Sequence, residues 1–350
     1  MTPNISKLEN LNLSWNYLIS KSSDIKYLLW LQESNRIEIL IKNKVFSILA
    51  NALILEEISK KFDRYDIVDV EDKDRIKALF SKIKLLKVDS TQTTLSRIER
   101  IEKLWVKKIK WIESVVSNLR KVKTSEEIEL IRKSQEINLK AFEVVLDKIR
   151  LWMTEFEIAK LIKIAHLKLW ATWESFEPIV AFSDWWSCPH HTNSNERKLV
   201  KWDQILFDFW CIYNWYCSDM TRVVFTTKPN PEQKQFYDLL KYTNEECMKF
   251  WKIWMEYKKL HQKANQILWE NSKFFTHNLW HGIGIDIHET PLWMRDLSTK
   301  IEENDVFTIE PGLYFPEKFW FRYENIIVVK NGKLVNILGE IEDKDYALGL

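Results

Sequence analysis

The chain contains only six glycines, whereas a soluble chain of this length ordinarily has about 24. This scarcity constrains the fold, because glycine normally fills the turns and helix ends that need a positive φ. Tryptophan is correspondingly frequent, with 18 residues, and the two types together reach the expected number of glycines. We therefore interpret most of the tryptophans as glycines of the living protein, since some bacterial genetic codes read UGA as glycine. A genuinely tryptophan-rich protein is the alternative.

The positions of several tryptophans favour the glycine interpretation. Trp152, Trp170 and Trp269 each follow a helical pattern, where a glycine adopts the left-handed conformation at low cost. Trp215 follows Asn214 between two strand-like runs, and Asn-Gly is the strongest short signal for a β-hairpin. Peptide sequencing of the native protein would test this hypothesis directly.

Charge and cysteine content exclude several classes of protein. The 52 basic and 50 acidic residues leave a net charge of +2 without a basic run, so we expect no nucleic-acid partner. The four cysteines show no CxxC spacing, which favours reduced thiols in a cytoplasmic protein over a disulfide framework. The N-terminus lacks the apolar stretch of a signal peptide, and no run reaches the roughly 20 apolar residues that span a bilayer. We therefore expect no membrane partner.

The pattern of elements predicts an α/β (α+β) chain with two domains, residues 1–120 and residues 121–350. The first domain mixes short strand-like and helical runs. The second begins with a capping box, in which Thr124 precedes Glu127 and a helical pattern. From residue 124 to 330 the order is helix, helix, strands, and then helix, helix, strands again. This order indicates a faint internal duplication.

Two acidic residues share one face of a predicted hairpin. With a two-residue turn at 214–215, residue 208 faces residue 221 and residue 210 faces residue 219. Side chains alternate along a strand, so Asp208 and Asp219 become diagonal neighbours within reach of one ion. Solvated strand acids are the alternative. A bound cation would relieve the repulsion of two carboxylates in an otherwise apolar strand pair.

A second pair of acids, Glu310 and Glu324, also lies in apolar strand-like runs. Between the two pairs is His281, which Gly282 follows directly. Four carboxylates and one imidazole suit Mn²⁺, Co²⁺, Fe²⁺ or Zn²⁺, and such a set can bridge two ions. His190 and His288 are further candidates because they lie close to the acids in the sequence. We interpret His166 and His261, on helical runs, as structural.

With tryptophan read as glycine, these segments resemble the pita-bread metallopeptidases, which include aminopeptidase P, prolidase and methionine aminopeptidase. The resemblance covers about residues 120–330. It rests on four segments of the sequence, FDFWCIYNWYCSDMTR, THNLWHGIGIDIHETP, TIEPGLY and FRYEN. It implies a C-terminal pita-bread catalytic domain and a smaller N-terminal creatinase-like α/β domain. The latter argues against the single-domain methionine aminopeptidases.

The resemblance also implies the roles of the site residues. It predicts two divalent metal ions, with Mn²⁺ expected and Co²⁺, Zn²⁺ or Fe²⁺ as alternatives. The implied metal ligands are Asp208, Asp219, His281, Glu310 and Glu324, with Asp219 and Glu324 bridging the ions. The implied catalytic residues are His190, His288 and Glu310, and the implied substrate contacts are His190, His288 and Arg322. Glu310 is the candidate proton shuttle.

The resulting expectation is a dimeric Xaa-Pro aminopeptidase that acts on peptides. An Xaa-Pro dipeptidase and an inactive pita-bread binding protein are the alternatives, and a creatine-hydrolysing relative is disfavoured because it would lack the metal ligands. The chain departs from the family at tryptophans that occupy or adjoin family glycines, namely Trp185, Trp186, Trp202, Trp210, Trp215, Trp280 and Trp320. We expect such indoles to crowd the site if they are real.

Overall fold

The computed structural model describes residues 3–11, 13–91, 93–104, 106–172, 177–183, 191–292, 298–316, 319–339 and 347–350. His190, one of the predicted site residues, lies outside these described residues. The chain divides into two compact units, Met1–Arg120 and Lys121–Leu350.

The first unit is built on a six-stranded mixed sheet in the order β4-β3-β2-β1-β5-β6. Its strands are β1 Asn16–Ile19, β2 Ile37–Lys42, β3 Val45–Ala50, β4 Asp66–Asp69, β5 Leu86–Asp89 and β6 Ile109–Ile112. Its helices are α1 Ile5–Asn10, α2 Ser22–Leu29, α3 Leu55–Lys61, α4 Lys73–Phe80, α5 Leu95–Glu102 and α6 Val115–Lys121, the last of which ends one residue beyond the unit. A short 3₁₀ helix spans Ser34–Arg36. The strand-like and helical runs expected in this region are thereby confirmed.

The described part of the second unit contains four long helices, and side-chain caps start three of them. They are α7 Ser125–Leu146, α8 Glu155–Lys168, α9 Pro231–Phe250 and α10 Tyr257–Leu268. Thr124, Thr154 and Asn230 each form a reciprocal capping box, which satisfies backbone N–H groups that a helix start leaves free. The capping box predicted at Thr124 is confirmed. A 3₁₀ helix, Trp269–Phe274, follows α10.

The strands of the second unit form four small sheets. They are β7 Ile179–Phe182, β8 Gln204–Phe209, β9 Ile212–Tyr213, β10 Tyr216–Cys217, β11 Met220–Phe225, β12 Val306–Ile309, β13 Gly312–Phe315, β14 Phe319–Arg322, β15 Asn325–Lys330 and β16 Lys333–Asn336. The sheet orders are β11-β8-β7, β10-β9, β12-β15-β16 and β13-β14. Every pairing in these sheets is antiparallel.

The predicted element order, two helices followed by strands and then the same again, is confirmed. Two large buried apolar clusters lie in this unit, and the second of them also includes residues of β8 and β11 from the first half. In the first, Phe142 of α7 and Ile158 of α8 pack with Phe207 of β8. In the second, Leu240 of α9 belongs to the same buried cluster as Phe307 of β12. This arrangement covers the strands with helices and leaves the strand ends to carry polar residues.

Among the described residues, no helix is both long enough and apolar enough to cross a membrane.

Candidate metal centre

The β8–β11 hairpin positions the first pair of acids. Its register places Thr221 opposite Asp208, and the short β9–β10 pair places Tyr213 opposite Tyr216. Both pairings confirm the register predicted from a turn at residues 214–215. Asp219 directly precedes β11, so it lies on the same face as Thr221, two residues further on. Both carboxylates are buried.

The β12–β15 pair positions the second pair of acids. Glu310 directly follows β12, and Glu324 directly precedes β15. The register places Ile309 opposite Asn325, so the two glutamates lie at the same end of the sheet. The amide of Asn244 on α9 holds this end by donating to the Ile309 carbonyl at 2.6 Å.

His281 lies in an irregular segment that precedes β12 in the chain and is hydrogen-bonded to that strand. The Thr308 N–H donates to the His281 carbonyl at 2.8 Å. The imidazole Nε2 lies 3.4 Å from Asp219 Oδ2, 3.5 Å from Glu310 Oε1 and 3.8 Å from Glu324 Oε1. Ligand atoms of Asp219, His281 and Glu324 lie within 4.8 Å of one another, which is close enough to share one ion.

Asp208 reaches the same cluster through an arginine. The guanidinium of Arg322 contacts Asp208 Oδ2, donates from Nε to Thr221 Oγ1 at 2.9 Å and donates from Nη1 to Tyr314 Oη at 2.9 Å. Thr221 in turn donates its hydroxyl to Glu324 Oε2 at 2.7 Å. These three contacts are with residues of the site, and the predicted role of Arg322 in substrate binding stays a prediction.

Burial and mutual repulsion dominate the electrostatics of the carboxylates. Burial raises the pKa of Asp208 to about 6, and the Glu324 charge adds to this effect while Arg322 opposes it. Burial, followed by the Glu324 charge, raises the pKa of Asp219 and of Glu310 well above its ordinary value. A bound cation would remove both penalties. The donor set and its burial therefore fit the divalent metal ions expected from the sequence.

Two amide side chains of α7 hold the acidic hairpin by its backbone. Gln135 donates from Nε2 to the Asp219 carbonyl at 2.9 Å and accepts from the Asp219 N–H at 3.1 Å. Asn138 donates from Nδ2 to the Phe209 carbonyl at 2.9 Å, and its Oδ1 lies 2.9 Å from Nε2 of His166. Burial lowers the pKa of His166 to about 4, so this histidine is neutral and structural, as predicted.

A cavity of about 620 Å³ opens above the cluster, which is within the size range of small-ligand sites. All five predicted metal ligands line it, together with Arg322 and His288. The His288 ring lies edge-on to the His281 ring with centroids 4.3 Å apart. The indoles of Trp210 and Trp280 also line the cavity, and both are buried.

His277 is a site residue that the sequence analysis did not select. Its Nδ1 donates to the Asn278 carbonyl at 2.8 Å and lies 3.7 Å from Glu310 Oε2. A Cβ at Gly312 would lie 2.6 Å from the His277 Nε2, so the glycine makes room for the ring. Burial, followed by the Arg322 charge, lowers the pKa of His277 to about 3. Its position four residues before His281 was the available signal.

Comparisons with known proteins agree with this geometry. The family model described as metallopeptidase family M24 matches residues 129–331. A protein named Xaa-Pro dipeptidase from Pyrococcus furiosus is 31% identical over 279 residues, which are 79% of this chain and 80% of that protein. Among solved structures, a prolidase from Pyrococcus furiosus superposes with a TM-score of 0.86 at 25% identity, covering 97% of this chain and all of that one.

An X-Pro aminopeptidase from Thermotoga maritima is similar to the same degree. It superposes with a TM-score of 0.84 at 28% identity, covering 96% of this chain and 99% of that one. The predicted family and mixed α/β fold class are confirmed by these matches. The chain is a peptide hydrolase with the pita-bread fold, and it belongs to metallopeptidase family M24.

Proposed function

We propose that this protein is a dinuclear-metal Xaa-Pro dipeptidase. The observation that carries the proposal is the convergence of Asp208, Asp219, His281, Glu310 and Glu324 on one cavity. The dipeptidase, which was the alternative in the sequence analysis, is favoured over the aminopeptidase because relatives from two Pyrococcus species carry that name. The Xaa-Pro aminopeptidase is the second candidate, supported by the similarity to the Thermotoga protein.

The five acidic and imidazole ligands would hold the two ions, with Mn²⁺ as the expected metal. Bound ions would supply Lewis acidity and lower the pKa of a water molecule. Carboxylate oxygens with one imidazole favour a metal that accepts oxygen ligands, which supports Mn²⁺ over softer ions. Arg322 orients Asp208, and Thr221 orients Glu324, so both carboxylates keep fixed directions.

Glu310 is the residue proposed to move the proton. Its carboxylate lines the cavity, with Oε1 3.5 Å from His281 Nε2, so it is placed to exchange a proton with a group bound there. His288, on the cavity wall beside His281, is positioned to stabilise negative charge that develops on the scissile carbonyl. His190 is proposed to contact the substrate on the strength of the family resemblance, and it lies outside the described residues.

The expected partners are peptide substrates and a second copy of the chain. The homodimer rests on the resemblance to two-domain relatives. A cytoplasmic location is proposed because the cysteines within the described residues, Cys211, Cys217 and Cys247, form no disulfide, a state typical of reducing compartments.

The proposal is tested by stripping the purified protein of metal, adding Mn²⁺, and supplying an Xaa-Pro dipeptide and an Xaa-Pro-Xaa tripeptide in parallel. Both the printed chain and a chain with glycine at its 18 tryptophan positions would be assayed. Cleavage of the dipeptide alone supports the dipeptidase. Release of the first residue from the tripeptide moves the assignment to the aminopeptidase.

A matched pair of variants ties any activity to the site. Asp219→Asn should abolish metal-dependent cleavage, whereas Asp238→Asn, at a half-exposed acid of α9, should leave it unchanged. If neither the printed chain nor the chain with glycine at the tryptophan positions cleaves either peptide when folded and loaded with metal, the dipeptidase and aminopeptidase assignments are wrong. The binding-protein alternative is then favoured.

A further inference from the structure

Seven tryptophans have a backbone conformation that a tryptophan rarely adopts. Their φ values lie between 47° and 78°. They are Trp30, Trp152, Trp170, Trp202, Trp215, Trp254 and Trp269. The other residues with positive φ among those described, glycine apart, are four asparagines and two lysines. A bulky aromatic residue is therefore the commonest type in a region of φ that sterics ordinarily close to it.

Several of these positions lie at helix ends or turns that glycine usually occupies. Trp30 is the C-cap of α2 and is left-handed, and Trp170 follows Leu169, the C-cap of α8. Asn214 and Trp215 both have positive φ between β9 and β10, which is the pattern of a hairpin turn that favours Asn-Gly. The prediction that Trp152 directly follows a helix end is wrong, because α7 already ends at Leu146.

The indoles of these seven tryptophans contribute little stabilisation by burial. Five of the seven are more than half exposed, and Trp170 is 82% exposed, so they bury little apolar surface. Buried tryptophans show a related misfit: the indole Nε1 atoms of Trp251 and Trp320 have no hydrogen-bond partner among the described residues. Buried indoles ordinarily find such a partner.

We propose that the functional chain carries glycine at these seven positions, encoded by UGA. We extend the proposal to positions 210 and 280, because Trp210 and Trp280 line the cavity beside the metal ligands. Glycine at these two positions would remove two indoles from the wall and enlarge the space available to a peptide. The substrate cavity of the living protein is then wider than the printed sequence allows.

The codons of the gene test this proposal without any assumption about activity. We expect UGA at all seven positions, and mass spectrometry of peptides from the source cells should give the residue mass of glycine there. UGG codons, or peptides with the mass of tryptophan at Trp170 or Trp215, would overturn the proposal.

A stability comparison tests the physical argument separately. A chain with glycine at the seven positions should unfold at a higher denaturant concentration than the printed chain, because the left-handed strain is removed. The control is Trp111→Gly, since Trp111 lies in β6 and has no positive φ. Glycine weakens a strand interior, so this variant should unfold at a lower concentration. A lowered midpoint for both chains would contradict the proposal.

A different observation carries a second inference, about the loop that bears His288. Glu289 is buried, and its carboxylate lies 3.0 Å from the buried Nζ of Lys123. The same carboxylate accepts from the Asp286 N–H at 3.3 Å. A Cβ built at Gly284 would collide with it. The Glu289 carboxylate therefore occupies the inside of the loop, and Glu289 directly follows His288 in the chain.

We infer that the Lys123–Glu289 ion pair is a positioning device for His288, an inference that rests on the proposed function. Backbone bonds close the loop on both sides, from Glu289 N to the Gly282 carbonyl at 2.9 Å and from Gly282 N to the Pro291 carbonyl at 2.7 Å. Removal of the Lys123 charge would leave a buried carboxylate without its cation. The loop would then shift, and His288 with it.

The test is Lys123→Met, with Lys121→Met as the matched control. Lys121 is also buried, but it pairs with Asp305 at 3.2 Å. Lys123→Met should lower kcat by about tenfold or more, as misplaced groups do, with a smaller change in KM. The double variant Lys123→Met/Glu289→Gln should recover most of the loss because it removes both charges.

The NMR signal of the His288 ring gives a readout that does not require peptide cleavage. It should shift in Lys123→Met and return towards its original position in the double variant. If the parent protein cleaves no peptide, the proposed function fails while this signal still reports on the loop. Equal shifts in Lys121→Met and Lys123→Met, or no recovery in the double variant, would contradict the positioning role.

Discussion

The hydroxyl of Thr221 connects two charged groups of the candidate metal centre, so its removal should destabilise the protein. Thr221→Val keeps the shape of the side chain and deletes one oxygen. That oxygen donates to Glu324 Oε2 at 2.7 Å and accepts from Arg322 Nε at 2.9 Å. All three side chains are buried, Thr221 completely, and the valine methyl fills the place of the hydroxyl, so no water enters there.

The expected cost follows from the number and kind of bonds lost. A hydrogen bond to a charged group contributes about 1.5–3 kcal/mol, so two such bonds set an upper range of about 3–6 kcal/mol. Arg322 keeps its contacts with Asp208 and Tyr314, which reduces the loss. We therefore expect Thr221→Val to lower the free energy of unfolding by about 3 kcal/mol.

Urea unfolding of the metal-free protein measures this cost, and Thr243→Val is the matched control. Thr243 is equally buried, but its hydroxyl donates only to the neutral Leu239 carbonyl at 2.7 Å. We expect about 1 kcal/mol for that variant. A loss for Thr221→Val no larger than the control's would refute the argument that charged partners make the Thr221 bonds strong. Titration with Mn²⁺ should also show metal affinity lowered by about tenfold or more.

Three further predictions follow from the site. Glu310→Gln should lower turnover by at least about 100-fold while the circular dichroism spectrum of the folded protein remains unchanged, and retained turnover would exclude Glu310 from proton transfer. Because burial raises the pKa values of Asp208, Asp219 and Glu310, the metal-free fold holds extra protons and loses stability as pH rises. The increase in melting temperature caused by Mn²⁺ should therefore be larger at about pH 8 than at about pH 5. Equal increases at the two pH values would contradict this prediction. Gly312→Ala should cost about 1–3 kcal/mol of stability, because the new Cβ meets the His277 ring, and adding His277→Ala should reduce that cost if the collision is its cause.

Local periodicity and turn chemistry made much of the site predictable. Alternation along β8 and β11, together with a two-residue turn, was enough to place Asp208 opposite Thr221. The capping box at Thr124 marked the start of α7. These features depend on residues close together in the chain, so a single sequence contains the information.

Contacts between distant segments were not predictable in the same way. Thr221 and Arg322 are 101 residues apart, and nothing in the spacing of either motif indicates that one bonds to the other. His277 was missed for a related reason, because its place beside Glu310 depends on the missing side chain of Gly312. A sequence shows which residue types are available, and the packing of the two sheets decides which of them meet.

The two amides of α7 have a consequence for how the acidic hairpin finds its alignment. Gln135 and Asn138 lie three residues apart, on one side of the helix, and contact the backbone at Asp219 and at Phe209 respectively. A slip of either strand by one residue would turn its carboxylate towards the apolar core and present a neighbouring side chain to the cavity instead. In that slipped arrangement the amides would face the wrong backbone groups and stay buried without partners. Helix α7 therefore favours the observed strand register, because both amides find their backbone partners only when both carboxylates lie in the cavity.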